Sequence, residues 1–222
     1  MHSFDWLQLA LYVGALLLIT KPLGLYLVQV LDAEGKTWLD WLVRPFERVT
    51  YRVLGVDPKQ EHDWKRYTNA MLIFSLVRML FTYAILRFQH LLPMNPQKFG
   101  ALTPDLAFNT AASFTTNTNW QSYTGESTMS YLSQMVALVI HNFGSAAVGI
   151  ALAAALVRGI ARHTAKTLGN FWVDLIRINY YLLLPICVVY AVVLVSQGMI
   201  QNFKGYDTAK LTEPFTVQVQ KT

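Results

Sequence analysis

The stretch SFTTNTNWQSYTGEST (Ser113–Thr128) offers many oxygen atoms and almost no charge. Nearly every residue in it carries a hydroxyl, an amide or an aromatic ring with a polar edge, and Glu126 is the one charged residue. Uncharged carbonyl, hydroxyl and amide oxygens can replace the hydration shell of a monovalent cation. Carboxylates would hold such an ion too tightly or would favour a divalent one. On these features the stretch is either a cation filter or a neutral polar loop that binds no ion.

The segments on both sides of this stretch are long and apolar. Hydrophobic residues make up 54% of the 222 residues, and charged residues make up 14%, against about 25% in ordinary soluble domains. Four segments can each cross a bilayer core of ~30 Å. They are Phe4–Leu31, Thr68–Leu92, Met129–Val157 and Ile178–Ile200. The sequence therefore predicts an all-α integral membrane protein with four transmembrane helices, because buried helices of a soluble protein would carry polar stripes.

Several other classes of protein are excluded. We expect the first segment to be a membrane span and not a secretory signal, because Asp5 precedes it, Lys21 interrupts it and no A-x-A site follows. One cysteine, Cys187, and five scattered histidines form neither a disulfide framework nor a metal-ligand set of usual spacing. No nucleotide-binding motif is present, so we predict that the chain is not an enzyme and has no cofactor. The net charge of +5 does not indicate nucleic-acid binding, because acidic residues are interspersed with the basic ones.

The basic residues predict the orientation in the membrane. Two connecting segments, between the first and second spans and between the third and fourth, are rich in lysine and arginine, whereas Lys98 is alone between the second and third spans. The basic residues are Lys36, Arg44, Arg48, Arg52, Lys59, Lys65 and Arg66 in the first of these segments, and Arg158, Arg162, Lys166 and Arg177 in the second. By the positive-inside rule both segments are cytoplasmic. The N-terminus and Ser113–Thr128 then face the outside.

A short helix is predicted immediately before the polar stretch. Thr103 is a suitable N-cap and Pro104 suits the first helical position. The apolar and small residues that follow extend to about Thr115, which is too short to cross a bilayer and is typical of a re-entrant or interfacial helix. Non-helical backbone at membrane depth is tolerated only where protein buries it or water lines it.

Three further features have structural explanations. Arg78 lies within the second span, where a charge is costly, and we expect it to meet a structural partner or a carbonyl at a broken helix. His141 lies in the third span beside Asn142 and is expected to make an interhelical hydrogen bond. Small residues in Gly144–Gly149 predict a packing seam.

The motif FTTNTNWQSYTGE (Phe114–Glu126) resembles the first pore loop of the KdpA family, the potassium-binding subunits of the bacterial Kdp potassium pump. The similarity extends in order along essentially the whole chain. It includes KPLGLYL at 21–27, LPMNPQ at 92–97, LSQM at 132–135 and TLGNFWVDLIR at 167–177.

The resemblance implies a potassium-channel-like organisation, in which four helix–pore-loop–helix repeats surround one filter. The chain would begin with an extra N-terminal helix at 1–31 and a cytoplasmic loop at 32–67. The first repeat would follow at 68–157, with a re-entrant pore helix at about 104–115 and a filter loop at 116–123. A cytoplasmic loop at 158–177, the first helix of a second repeat at 178–200 and an external segment at 201–222 would complete the chain. Three of the four filter quarters would lie beyond Thr222, so we expect potassium conduction to need more than these 222 residues.

By the same resemblance, Thr116, Asn117, Thr118 and Asn119 would form a filter quarter for potassium, with Gln121 at its entrance. Channel filters have a glycine near the place of Asn119, and Asn tolerates the left-handed conformation well. The implied function is potassium selection for an ATP-driven importer of the bacterial inner membrane. ATP hydrolysis would reside in a separate P-type ATPase subunit, with small accessory subunits and lipid as further partners. The alternatives are a stand-alone potassium channel or cation symporter, and a membrane scaffold that transports nothing.

Overall fold

The computed structural model describes residues 3–32, 34–162, 166–199 and 202–206. Eight α-helices occur in these residues: α1 (Ser3–Leu31), α2 (Asp40–Leu54), α3 (Trp64–Phe88), α4 (Pro104–Thr115), α5 (Gly125–Thr128), α6 (Ile140–Ala161), α7 (Phe171–Arg177) and α8 (Leu184–Ser196). Ser133–Val139 and Ile178–Leu183 are π-helical, and Gln89–Leu91 forms a 3₁₀ turn. Two short strands, β1 (His62–Asp63) and β2 (Thr167–Gly169), pair antiparallel. The sequence pattern predicted only helices and did not predict this pair of strands.

Four continuous helical segments of the described chain are long and apolar enough to cross a membrane. They are Phe4–Leu31, Trp64–Leu91, Ser133–Ala161 and Phe171–Ser196. The prediction of a helical, multi-pass membrane protein is therefore confirmed. Because α6 continues smoothly from one π-helical segment, and α8 from the other, each of the last two spans is a single unit.

Two segments that were predicted as loops contain helices. Within 32–67, α2 follows the first span and the second span already begins at Trp64. Within 158–177, α7 begins at Phe171, because the Asn170 side chain accepts hydrogen bonds from the backbone amides of Trp172 and Val173. The hydrophobic pattern was misleading here because charged residues, which end an apolar run, lie on buried faces of both helices.

The spans pack through small residues on the third one. Ala147 and Ala151 are fully buried against Tyr67 of α3 and Phe171 of α7. A Cβ atom at Gly144 would overlap the guanidinium of Arg78, whereas a Cβ atom at Gly149 would meet no other element of the described chain within 4 Å. The predicted seam therefore includes Gly144 and the alanines but does not include Gly149.

A buried ion pair fixes three elements at one end of the spans. Arg158 of α6 makes two hydrogen bonds of 2.6 and 2.8 Å to the carboxylate of Asp174 in α7, and the phenol of Tyr67 donates to the same carboxylate at 3.0 Å. Arg158 also donates to the carbonyl of Leu31 at 2.5 Å. Gly169 has a φ of 100°, and a side chain there would overlap Arg158.

A second buried ion pair holds α2 against the same end. Arg177 donates to Glu47 of α2 at 3.0 Å, and the phenols of Tyr51 and Tyr181 donate to the two oxygens of the same carboxylate at 2.7 and 2.8 Å. Arg177 also reaches the carbonyl of Val30 at the end of α1, at 2.6 Å. We call this end of the molecule, with the described residues of 32–63 and 162–170, the basic end.

Candidate ion-binding site

The short helix α4 occupies the residues predicted for it, Pro104–Thr115. Thr103 is at the N-cap with φ −61° and ψ 151°, and Pro104 starts the helix, although the Thr103 side chain makes no capping hydrogen bond to a backbone amide. Hydrogen bonds from Thr103 and from backbone amides hold the pKa of Asp105 below its ordinary value. A carboxylate in the first turn also complements the helix dipole. The start of α4 is thus locally encoded.

Hydrophobic packing holds α4 between the second and third spans. Ala107 and Ala111 are fully buried, and Phe114 is 6% exposed. Ala107 and Phe114 belong to one apolar cluster with Leu86 of α3 and Leu138 of the third span. The end of α4 is therefore fixed by a packed core rather than by loop contacts alone.

The chain leaves α4 through a Schellman-type cap centred on Asn117. The backbone amide of Thr118 donates to the carbonyl of Ser113 at 2.9 Å, and that of Asn117 donates to Phe114 at 3.4 Å. Asn117 has a φ of 58°, the left-handed conformation that this cap requires. Asn is accepted in place of glycine at this position. The structural requirement of helix termination explains this residue without reference to an ion.

A second left-handed asparagine follows two residues later. Asn119 has a φ of 55°, the left-handed conformation that asparagine tolerates better than most residues. Its side-chain amide donates to Oδ1 of Asn117 at 2.9 Å, and the hydroxyls of Thr116 and Thr118 lie 2.9 Å apart. The backbone amide of Trp120 donates to Ser113 Oγ at 3.2 Å. The loop is therefore ordered by its own polar groups.

The side chains of the loop are open to the surroundings in this chain. Thr116, Asn117, Thr118, Asn119 and Gln121 are all exposed. Their oxygen atoms are uncharged, and the last turn of α4 contains no basic residue. Because the C-terminus of a helix carries a partial negative charge, the arrangement can attract a cation and would repel an anion.

The two aromatic residues of the loop differ in their environments. Tyr123 is half-buried and packs against the apolar cluster around α4, and burial raises the pKa of its phenol to about 12. Trp120 is 83% exposed, so it does not pack behind the loop against the described residues.

His141 connects α4 to both neighbouring spans. Its Nε2 lies 3.0 Å from the hydroxyl of Thr115, and its Nδ1 lies 2.9 Å from the hydroxyl of Thr82. Only 2% of His141 is exposed. The predicted interhelical hydrogen bond is confirmed, but the sequence did not identify either threonine. The buried imidazole therefore contacts Thr115, the residue directly before the candidate site.

Arg78 meets backbone carbonyls, as expected. Its Nη2 donates to the carbonyls of Ile140 and His141 at 3.2 and 2.8 Å, and its guanidinium lies 5.1 Å from the ring centroid of Phe74. These carbonyls belong to the first two residues of α6, directly after the π-helical segment ends at Val139. Arg78 therefore joins α3 to the start of α6 behind α4.

The fold and the site define a class: a polytopic membrane protein in which a short, packed helix presents an ordered loop of uncharged oxygens. A family model described as "KdpA: Potassium-transporting ATPase A subunit" matches residues 10–222. The chain belongs to the KdpA family.

Curated relatives agree with this assignment. The chain is 55% identical over 215 residues to the "Potassium-transporting ATPase potassium-binding subunit" of Koribacter versatilis, with 96% of this chain and 36% of the relative covered. It is 51% identical over 221 residues to the protein of the same name from Geobacter metallireducens, with 100% of this chain and 38% of the relative covered. The chain thus spans little more than a third of the length of these relatives.

Proposed function

We propose that residues 116–119 supply one quarter of a potassium filter and that the chain is part of the potassium-selecting subunit of an ATP-driven importer. The observation that carries the proposal is the ordered loop at the C-terminal end of α4, in which Asn119 is left-handed beyond the helix cap and residues 116–119 are exposed with only uncharged oxygens. The names of the relatives, potassium-binding subunits of a potassium-transporting ATPase, support potassium as the ion.

The geometry of the backbone supports this role for the loop. Thr116 has a φ of −86° and Asn117 a φ of 58°, and Asn119 is again positive. The backbone amides of Thr116, Asn117 and Thr118 donate to carbonyls of α4. These amides are therefore not available to bind an anion, and oxygen atoms are what replaces the hydration shell of potassium. Gln121 would stand at the entrance.

In this proposal α4 is a re-entrant pore helix. Its 12 residues are too few to cross a bilayer, so it enters from the outer side and the chain returns through 116–123. The N-terminus and the candidate site face the outside of the bacterial inner membrane, and the basic end faces the cytoplasm. Energy comes from a separate P-type ATPase subunit assisted by small accessory subunits.

A second candidate function is a membrane scaffold without a role in transport. It is favoured by the exposure of all four candidate filter residues in this chain. One quarter of a ring cannot enclose an ion, so the transport role requires the other quarters. The experiment must therefore use the complete subunit.

The test is a charge change at the entrance, in a complete subunit that carries this segment. Gln121→Arg adds a fixed positive charge near the path of the ion. Two unit charges about 6 Å apart repel by roughly 3 kcal/mol at an effective dielectric of about 20, and water at the mouth reduces this value. Because 1.4 kcal/mol corresponds to about tenfold in affinity, the potassium concentration for half-maximal uptake should rise by about tenfold or more.

Gln121→Asn is the matched control, because it retains an uncharged amide and should change the half-maximal concentration much less. Uptake is measured in cells that lack other potassium importers, with the amount of assembled protein determined in parallel. Unchanged affinity in the Gln121→Arg variant at normal protein levels would remove the loop from the filter and favour the scaffold.

A further inference from the structure

The surface of α2 has three stripes, one buried, one apolar and exposed, and one basic. Val43, Glu47 and Tyr51 are buried against the bundle at a spacing of four residues. Large apolar residues are exposed on another side: Leu42, Phe46, Val49 and Val53 are 49, 64, 58 and 77% exposed. Their spacing of four, three and four residues places them on one face of the helix. An exposed apolar stripe of this length requires a cover.

The third stripe of α2 is basic and borders the apolar one. Arg44, Arg48 and Arg52 follow one another at four-residue spacing, and their side of the helix lies between the buried and the apolar stripes. Arg44 is 3.5 Å from Asp40, whereas Arg48 and Arg52 are exposed without an ion pair among the described residues. The exposed surface of α2 thus combines apolar bulk with positive charge.

The position of α2 relative to the spans indicates what lies next to the apolar stripe. Its buried face packs on Val30, in the last turn of the first span, and on Tyr181, ten residues after the start of the last span. The helix α2 therefore lies beside the end of the first span and the first part of the last span. Trp38, Trp41 and Trp64, which are 72, 77 and 60% exposed, lie at this same end. Exposed tryptophans are typical of the membrane–water interface.

We propose that α2 lies in the plane of the membrane interface, with its apolar stripe inserted among lipid chains and its arginine stripe bound to the phosphates of anionic lipids. A helix with a strongly apolar face and a basic polar face has the composition of such interfacial helices. Each basic side chain near an anionic surface strengthens the attraction by roughly fivefold in affinity. This proposal concerns lipid and does not depend on the assignment of the potassium site.

The depth of α2 is tested with a fluorescent bimane attached to Val49→Cys. The native Cys187 is first replaced by alanine, since it is exposed and would also be labelled. The complete subunit is reconstituted in vesicles of phosphatidylcholine and phosphatidylglycerol. We expect lipids with brominated acyl chains to quench the probe and aqueous iodide not to reach it. Lys59→Cys, an exposed position beyond the end of α2, should show the reverse.

Two results at Val49→Cys overturn the proposal. Quenching by iodide but not by brominated lipid places the helix in water. Protection from both quenchers means that protein, such as another part of the subunit, covers the stripe.

The arginine stripe is tested with two kinds of vesicle that contain the same proportions of phosphatidylcholine and phosphatidylglycerol. In one kind the phosphatidylglycerol is brominated, and in the other the phosphatidylcholine is. Brominated phosphatidylglycerol should quench the probe at position 49 several-fold more strongly than brominated phosphatidylcholine. The double variant Arg48→Gln with Arg52→Gln should bring this ratio close to one. The control pair, Lys59→Gln with Lys65→Gln, removes the same charge outside α2 and should leave most of the preference. Equal ratios in the two pairs would show that the arginine stripe does not select anionic lipid.

Discussion

Two residues of the candidate site, Asn117 and Asn119, have a backbone conformation that most side chains resist. A left-handed residue costs roughly 1–2 kcal/mol when it is neither glycine nor asparagine or aspartate. Asn117→Gly should therefore preserve the thermal stability of the complete subunit in detergent, whereas Asn117→Val should lower the free energy of unfolding by at least about this amount. The same order is expected at Asn119. Equal stability of the Gly and Val variants would contradict the positive φ values.

A second residue-scale prediction concerns His141. Replacement by leucine removes the partner of two hydroxyls, those of Thr82 and Thr115, and should reduce the free energy of unfolding by about 1–3 kcal/mol. Thr82→Val is the matched partner in a double-mutant cycle. It should reduce the free energy of unfolding less in the His141→Leu background than in the wild type, because the hydrogen bond is already absent. Strict additivity would show that the two side chains do not interact.

The sequence indicated part of the loop conformation at this scale. A left-handed Asn119 was foreseeable, because an asparagine stands near the place where channel filters have a glycine. A left-handed Asn117 was not foreseeable, because its conformation depends on where α4 ends, and this in turn depends on packing of Phe114. The partners of His141 were also hidden, because Thr82 lies 59 residues away in the chain.

At the scale of elements, the Arg158–Asp174 pair joins α6 to α7. Asp174 is 2% exposed, so removing its charge leaves Arg158 buried without a counter-ion. Asp174→Asn should reduce the free energy of unfolding by about 3–5 kcal/mol. Asp174→Leu combined with Arg158→Met should be less damaging, because neither charge remains. Thermal unfolding in detergent measures both, and a double variant no better than Asp174→Asn would argue against charge burial as the cause.

The β1–β2 pair provides a pH-dependent element. His62 is buried opposite Gly169, and its Nδ1 has no hydrogen-bond partner among the described residues. Burial, and then the charge of Arg66, lower its pKa from 6.5, while Asp63 and Asp174 oppose the shift. The unfolded chain therefore binds the proton more readily than the folded chain.

Stability should consequently be full above pH 6.5 and fall as the pH drops toward the folded pKa of His62. The slope for one group is at most about 1.4 kcal/mol per pH unit. The measurement is the Tm of the complete subunit across this range. His62→Gln should remove the part of the slope that His62 causes, and an unchanged slope in that variant would assign the dependence to other groups.

The sequence predicted an element well where the signals for its ends lie within a few residues of it. The bounds of α4 followed from Thr103, Pro104 and the length of the apolar run. Asn170 before FWVDLIR is an N-cap signal that could have located α7, but the charged residues on either side favoured a loop. The ion pair of Glu47 with Arg177 joins residues 130 positions apart, and no local pattern encodes such a contact.

At the scale of the whole molecule, the connecting segments separate into two groups. At the basic end, Arg162 donates to Glu61 at 3.0 Å and Asn170 donates to the carbonyl of Gln60 at 2.9 Å. At the opposite end, the phenol of Tyr131 donates to the carbonyl of Lys204 at 2.7 Å. The two basic segments therefore lie on the same side of the four spans, as the charge pattern predicted.

This separation allows a direct test of orientation in intact cells. Single cysteines are introduced at Lys59, Lys166 or Lys98 in a complete subunit with Cys187→Ala, and a membrane-impermeant thiol reagent is added. All three positions are charged in the native chain, and all three lie outside the spans, so differences in labelling report sidedness rather than depth. Because lysine- and arginine-rich segments remain in the cytoplasm, only the cysteine at position 98 should react before the cells are opened. All three should react afterwards, which controls for accessibility. Labelling at 59 and 166 but not at 98 in intact cells would reverse the orientation, and it would place the loop 116–123 on the cytoplasmic side, where it could not receive external potassium.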